Sequence, residues 1–108
     1  MSQNISLFYI PCPDQATAEK ISRTLLEEKL IGCANIIPGM TSMYWWEGKI
    51  ATSSESILIL KTSESSDALK NLEKRVLELH PYDIPCLMQL PVAAINSAYQ
   101  KWLEESQK

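Results

Sequence analysis

His80 is the only histidine of the chain, and Cys12, Cys33 and Cys86 are its three cysteines. These four side chains are the ones that work near neutral pH as soft-metal ligands, bases or nucleophiles. Two thiols and one imidazole suit a soft or borderline metal such as copper or zinc. A thiolate beside an imidazole also suits nucleophilic catalysis. No Cys-x-x-Cys pair occurs and the cysteine count is odd, so reduced thiols are expected rather than a disulfide framework. Each cysteine alone also fits a small core position. His80 fits a capping donor at a helix C-terminus equally well.

Whether these groups meet depends on the elements that carry them. Ile5 to Ile10 is a short apolar run ended by Pro11 and Pro13, which predicts a buried strand. Asp14 follows as a helix N-cap, with Ala18, Ile21, Leu25 and Leu26 at helical spacing. This helix should end near Lys29 or Leu30, with Gly32 as its stop. A second strand begins at Cys33 and runs to Trp46, kinked by a bulge at Pro38-Gly39. Glu47-Gly48 reverses the chain into a return strand over Lys49 to Thr62. The polar stretch Ser63 to Asp67 offers N-caps for a helix built on Leu69, Leu72, Val76 and Leu79. A two-proline connection, His80 to Pro85, leads to a fourth strand over Cys86 to Leu90. A last helix begins near Asn96 with Tyr99, Trp102 and Leu103 on one side.

The order is βαββαβ plus a terminal helix, an α+β domain of the ferredoxin-like type with a long central hairpin. The 108 residues fit one domain, residues 1–108, without an internal linker. In this topology the first and fourth strands are antiparallel neighbours. Cys12 just past the first strand, Cys86 at the start of the fourth and His80 in the turn before it therefore fall at one edge. These three are the candidate metal ligands. Cys33 belongs to the opposite edge.

Other chemistries find little support. The net charge is −3, and no basic run longer than the pair Lys74-Arg75 occurs, so the basic footprint of a nucleic-acid binder is missing. Three dispersed glycines leave no phosphate-cradling loop. Glu47, Glu55 and Glu64 lie along or beside the hairpin with Lys49, and nothing fixes them as an acid–base pair. No third residue or oxyanion device accompanies a cysteine nucleophile, and an enzyme is not expected. The start Met1-Ser2-Gln3-Asn4 lacks a signal-peptide pattern, and the stretch Leu30 to Met40 is too short and interrupted to span a bilayer. The expected compartment is the cytoplasm, with no membrane partner.

The hairpin poses a packing problem of its own. Met43, Tyr44, Trp45 and Trp46 are consecutive, and consecutive strand residues point to opposite faces. Large apolar groups therefore project on both sides. Two helices cover only one face of the sheet. A partner chain would supply the missing cover, and the alternative is packing by the terminal helix through Trp102.

Several segments together resemble the CutA divalent-cation tolerance proteins. They are Cys33-Ala34-Asn35-Ile36-Ile37-Pro38-Gly39, Ser42-Met43-Tyr44-Trp45-Trp46-Glu47-Gly48-Lys49, Leu60-Lys61-Thr62, Leu79-His80-Pro81-Tyr82-Asp83-Ile84-Pro85 and Tyr99-Gln100-Lys101-Trp102-Leu103. The resemblance implies a tightly packed homotrimer of ferredoxin-like subunits with PII-like architecture, whose long hairpins join sheets between neighbours. It implies a cytoplasmic protein linked to tolerance of copper and other divalent cations. His80 matches the His of the family's His-Pro-Tyr motif, for which copper binding has been proposed. Some relatives carry a second His where this chain has Leu79, and some a Cys where it has Ile10. Position 86 is usually acidic in the family and is Cys86 here, whereas the common Cys at the start of the second strand is kept as Cys33.

Two readings lead. One is a homotrimer that binds copper or another divalent cation through His80 with Cys12 or Cys86. The other is a PII-like signalling trimer that takes a small ligand or partner protein in clefts between subunits. A cysteine-nucleophile enzyme ranks behind both.

Overall fold

A computed structural model describes residues 5–63 and 65–108. The N-terminal Met1 to Asn4 and Glu64, named above, lie outside the described residues. The elements run β1 (Ile5–Cys12), α1 (Gln15–Glu27), β2 (Cys33–Trp46), β3 (Lys49–Ser63), α2 (Ser66–Leu79), β4 (Met88–Pro91) and α3 (Ser97–Ser106). The four strands form one antiparallel sheet in the order β2-β3-β1-β4.

Alternation along the central strands builds the core. Phe8, Ile10 and Cys12 of β1 sit opposite Leu60, Leu58 and Ser56 of β3 and turn to one face. Ala18, Ile21 and Leu25 of α1 and Leu72 and Val76 of α2 pack onto that face with them. Both helices thus share one side, because only that side presents a closed apolar surface to their stripes. Asp14 caps α1 by accepting from the Thr17 N–H at 2.7 Å, and Ser65 caps α2 by accepting from Ala68 at 3.3 Å. Arg75 of α2 forks onto the Glu28 carboxylate at 2.7–3.2 Å, joining the two helices at the surface.

Strand ends differ from the sequence reading in two places. β1 continues through Pro11 to Cys12, since Pro11 still pairs with Ile57. β4 pairs with β1 only from Ser6 to Tyr9, so the edge of β1 beside Pro11 has no ladder for a missing N–H to break. β4 itself starts at Met88, which leaves Cys86 in the connection before it.

The bulge lies where expected. The register of β2 against β3 shifts between Ile37 and Met40, and Gly39 takes φ +80°. The reversal at Glu47-Gly48 joins the paired Trp46 and Lys49, with φ +50° and +75° at its two residues. That is the twist a two-residue hairpin turn requires. Beyond Cys12 the hairpin has no neighbour in its own sheet. It projects as an arm, and the chain measures 48 × 26 × 24 Å.

Gly32 does not stop α1. The helix ends at Glu27, and the left-handed residue is Lys29 at φ +62°. Gly32 is small because α3 comes close: a Cβ there would lie 2.5 Å from Leu103 Cδ1 and 3.1 Å from the Leu103 carbonyl oxygen. Leu103 is fully buried. Gln107 further fixes this end of α3, its side-chain carbonyl accepting from the Ser63 N–H at 2.7 Å.

Gly32→Ala should therefore cost roughly 1–3 kcal/mol, the range for overpacking a filled site. Urea unfolding of Gly32→Ala, Leu103→Ala and the double variant checks this. The double variant is expected to lose less than the two single losses combined, since truncating Leu103 makes room for the added methyl group.

Candidate functional site

The candidate site forms where β1, the end of α2 and the root of the arm meet. His80 occupies the C-cap of α2, where its own N–H bonds the Val76 carbonyl at 2.9 Å. Its ring turns inward and is 6% exposed. Nε2 lies 2.9 Å from the Pro11 carbonyl oxygen, which only accepts, so Nε2 carries the proton and donates. Nδ1 accepts from the Tyr82 N–H at 3.2 Å. The rings of His80 and Tyr82 stand 4.7 Å apart, tilted by 55°. Tyr82 then donates from its hydroxyl to Glu55 Oε2 at 2.9 Å.

The two thiols flank this network. Cys12 is fully buried and donates weakly to the Ile10 carbonyl at 3.7 Å. Burial pushes its thiol up to about 11, and the carboxylates of Glu55 and Asp14 push the same way. Cys86 is half-buried and also raised, first by burial and then by Glu55. Burial together with the bond to Glu55 pushes the Tyr82 phenol up to about 12. His80 thus bonds the residue before Cys12, and both thiols feel the Glu55 carboxylate. Cys33 lies opposite Lys61, on the far side of β3.

The donors do not fit a cation as they stand. Both His80 nitrogens are engaged, and Cys12 is a protonated thiol without access to solvent. Among the described residues, no group of three or more His, Cys, Asp or Glu side chains is disposed to hold a metal. The sequence reading missed Tyr82 and Glu55 as partners of His80. Glu55 had one available signal: it is a carboxylate where β3 turns from the polar arm to the apolar run that begins at Ile57.

The second feature is apolar. Trp45 pairs with Ile50 and Met43 with Thr52 on one side of the arm, while Tyr44 and Trp46 take the other. Trp45 is 73% exposed, Met43 69% and Ile50 64%. The open face of the sheet, where Ile37, Met88 and Leu90 are exposed, continues the Tyr44 and Trp46 side of the arm. The terminal helix does not cover the arm. Its Tyr99 stacks on Trp102 and meets Lys61 at 3.3 Å, at the end of β3 away from the turn.

A model of the CutA1 divalent ion tolerance protein family matches residues 6–106. The chain belongs to the CutA1 family. It is 45% identical over 102 residues to the "Divalent-cation tolerance protein CutA" of Pyrococcus horikoshii, covering 94% of this chain and 97% of that one. It is 40% identical over 97 residues to the Thermus thermophilus protein of that name, covering 90% and 92%. The crystal structure of the divalent ion tolerance protein CutA1 from Ehrlichia chaffeensis superposes with a TM-score of 0.93 at 35% identity, covering 100% of this chain and 99% of that one. That superposition spans the arm and the segment that carries His80.

The raised Cys12 thiol predicts a pH effect with a defined sign. Its folded value, about 11, exceeds the ordinary 9.0. The neutral thiol's contribution to stability is therefore complete below about pH 9 and is lost as the pH rises toward 11. The loss should be about 2–3 kcal/mol for the buried thiol. Urea unfolding between pH 7 and 11 should show a flatter alkaline decline for Cys12→Ala than for the wild type. Parallel declines would contradict the assignment.

Proposed function

We propose that this chain acts in divalent-cation tolerance as a cytoplasmic homotrimer of ferredoxin-like subunits, each arm finding its cover on neighbouring copies. The observation that carries the proposal is the arm itself, with large apolar side chains exposed on both faces and, among the described residues, no strand paired with it outside the hairpin. At about 25 cal/mol per Å², leaving two tryptophans, a tyrosine, a methionine and an isoleucine in water forgoes several kcal/mol per chain. Membership of the CutA1 divalent ion tolerance family supplies the biological setting. The cytoplasm is a compartment in which three unpaired thiols stay reduced.

Copper or another divalent cation would enter this reading only through a rearranged corner, because Cys12 is fully buried and both His80 nitrogens are engaged, which leaves the half-buried Cys86 as the exposed soft donor. The other role for the same trimer is PII-like signalling, in which a small ligand or partner protein is read in clefts between subunits. The engaged state of His80 favours it, because the corner is then built as a fixed wall rather than an open ligand set.

Trp45→Glu tests the assembly. The substitution puts a charge on the most exposed aromatic of the arm and touches no residue of the core. Sedimentation velocity over a dilution series should show assembly weakened by roughly 100-fold or more, the effect of losing an aromatic anchor. Unchanged assembly of Trp45→Glu would contradict the proposal.

A further inference from the structure

We propose that His80 is a positioning residue that fixes the root of the arm through Tyr82 and Glu55, and is not a metal ligand. The family resemblance assigned its imidazole to copper; the geometry assigns both of its nitrogens elsewhere. A ligand must present a lone pair. Nε2 carries the proton given to the Pro11 carbonyl, and the Nδ1 lone pair is spent on the Tyr82 N–H. A metal at either nitrogen would displace a hydrogen bond of a 6%-exposed ring and leave its backbone partner unpaired.

What the arrangement does instead follows from what it joins. Pro11 belongs to the last stretch of β1 that pairs with β3, and Tyr82 follows the end of α2. Glu55 pairs with Met40, the first residue after the bulge, where the hairpin leaves the sheet. The chain of contacts Pro11–His80–Tyr82–Glu55 therefore runs from the rigid body of the domain to the arm root. On the same pair of residues, Tyr9 from β1 places its hydroxyl 3.5 Å from Met40 Sδ. Two tyrosines thus grip the arm at the bulge, where a hairpin beyond the end of its sheet would otherwise swing. His80 orients one of them by its bond to the Tyr82 N–H and by ring contact. The inference rests on the assembly reading for the use of a fixed arm, so its test includes a readout that does not depend on assembly.

Five proteins serve: wild type, His80→Ala, Tyr82→Phe, Glu55→Gln and Cys12→Ser/Cys86→Ser. Tyr82→Phe keeps the ring and removes the hydroxyl. Glu55→Gln keeps an acceptor for that hydroxyl and removes the charge. Amide hydrogen exchange at residues 40–43 and 52–55 should be about tenfold faster in Tyr82→Phe, the effect of losing one hydrogen bond to a charged group. His80→Ala should accelerate it at least as much, and Glu55→Gln should stay within about threefold of wild type. Anaerobic Cu(I) titration of the reduced proteins against a competing chelator should give the same affinity for wild type, His80→Ala and Tyr82→Phe. In Cys12→Ser/Cys86→Ser any binding at this corner should disappear. A Cu(I) affinity weakened tenfold or more by His80→Ala but unchanged in Tyr82→Phe would overturn the inference. So would an exchange pattern in Tyr82→Phe identical to wild type. A wild type that stays monomeric defeats the assembly reading, and the exchange and Cu(I) results then decide the role of His80 by themselves.

Discussion

β1 stops at Cys12, opposite Ser56, while β3 reaches back to Lys49. Every residue of the hairpin beyond that point pairs only within the hairpin. Two strands alone are marginal in water unless something packs on them, and this pair exposes large apolar side chains on both sides near its turn. The mismatch in strand length is the constraint from which the rest follows. It makes an arm, leaves the arm uncovered, and creates a root where the arm must be held.

The root explains features that look unrelated along the sequence. The bulge at Pro38-Gly39 turns the arm away from the sheet, with Gly39 in a backbone region that favours glycine. Met40 and Glu55, facing each other just past it, take one tyrosine each. The proline-bracketed segment after α2 holds Tyr82 against His80. Burial of Cys12 and the raised Tyr82 phenol are consequences of closing this corner tightly.

Much of this was legible in the residues. The apolar run Ile57 to Leu60, the helical spacing of Leu69, Leu72, Val76 and Leu79, and the Asp14 cap pointed to the right element types because local pattern and tertiary burial agree there. The run Met43 to Trp46 announced an uncovered surface. Three things escaped, each for a tertiary reason. Gly32 read as a helix stop, whereas its size answers Leu103 of the terminal helix. Pro11 read as a strand end, yet pairing on one edge only tolerates it. The meeting of His80, Cys12 and Cys86 near one edge followed from topology, but the direction of the imidazole did not. Which nitrogen donates, and to what, is set by a carbonyl 69 positions earlier in the chain.

The central claim is that the arm is completed by other copies of the chain. Sedimentation equilibrium of the unmodified protein over nanomolar to micromolar concentrations tests it most directly. The account predicts a single species of three chain masses persisting well into the submicromolar range, as a large apolar interface requires. A species of one chain mass throughout the micromolar range would contradict it, because the aromatic faces of the arm would then stand in water without a partner.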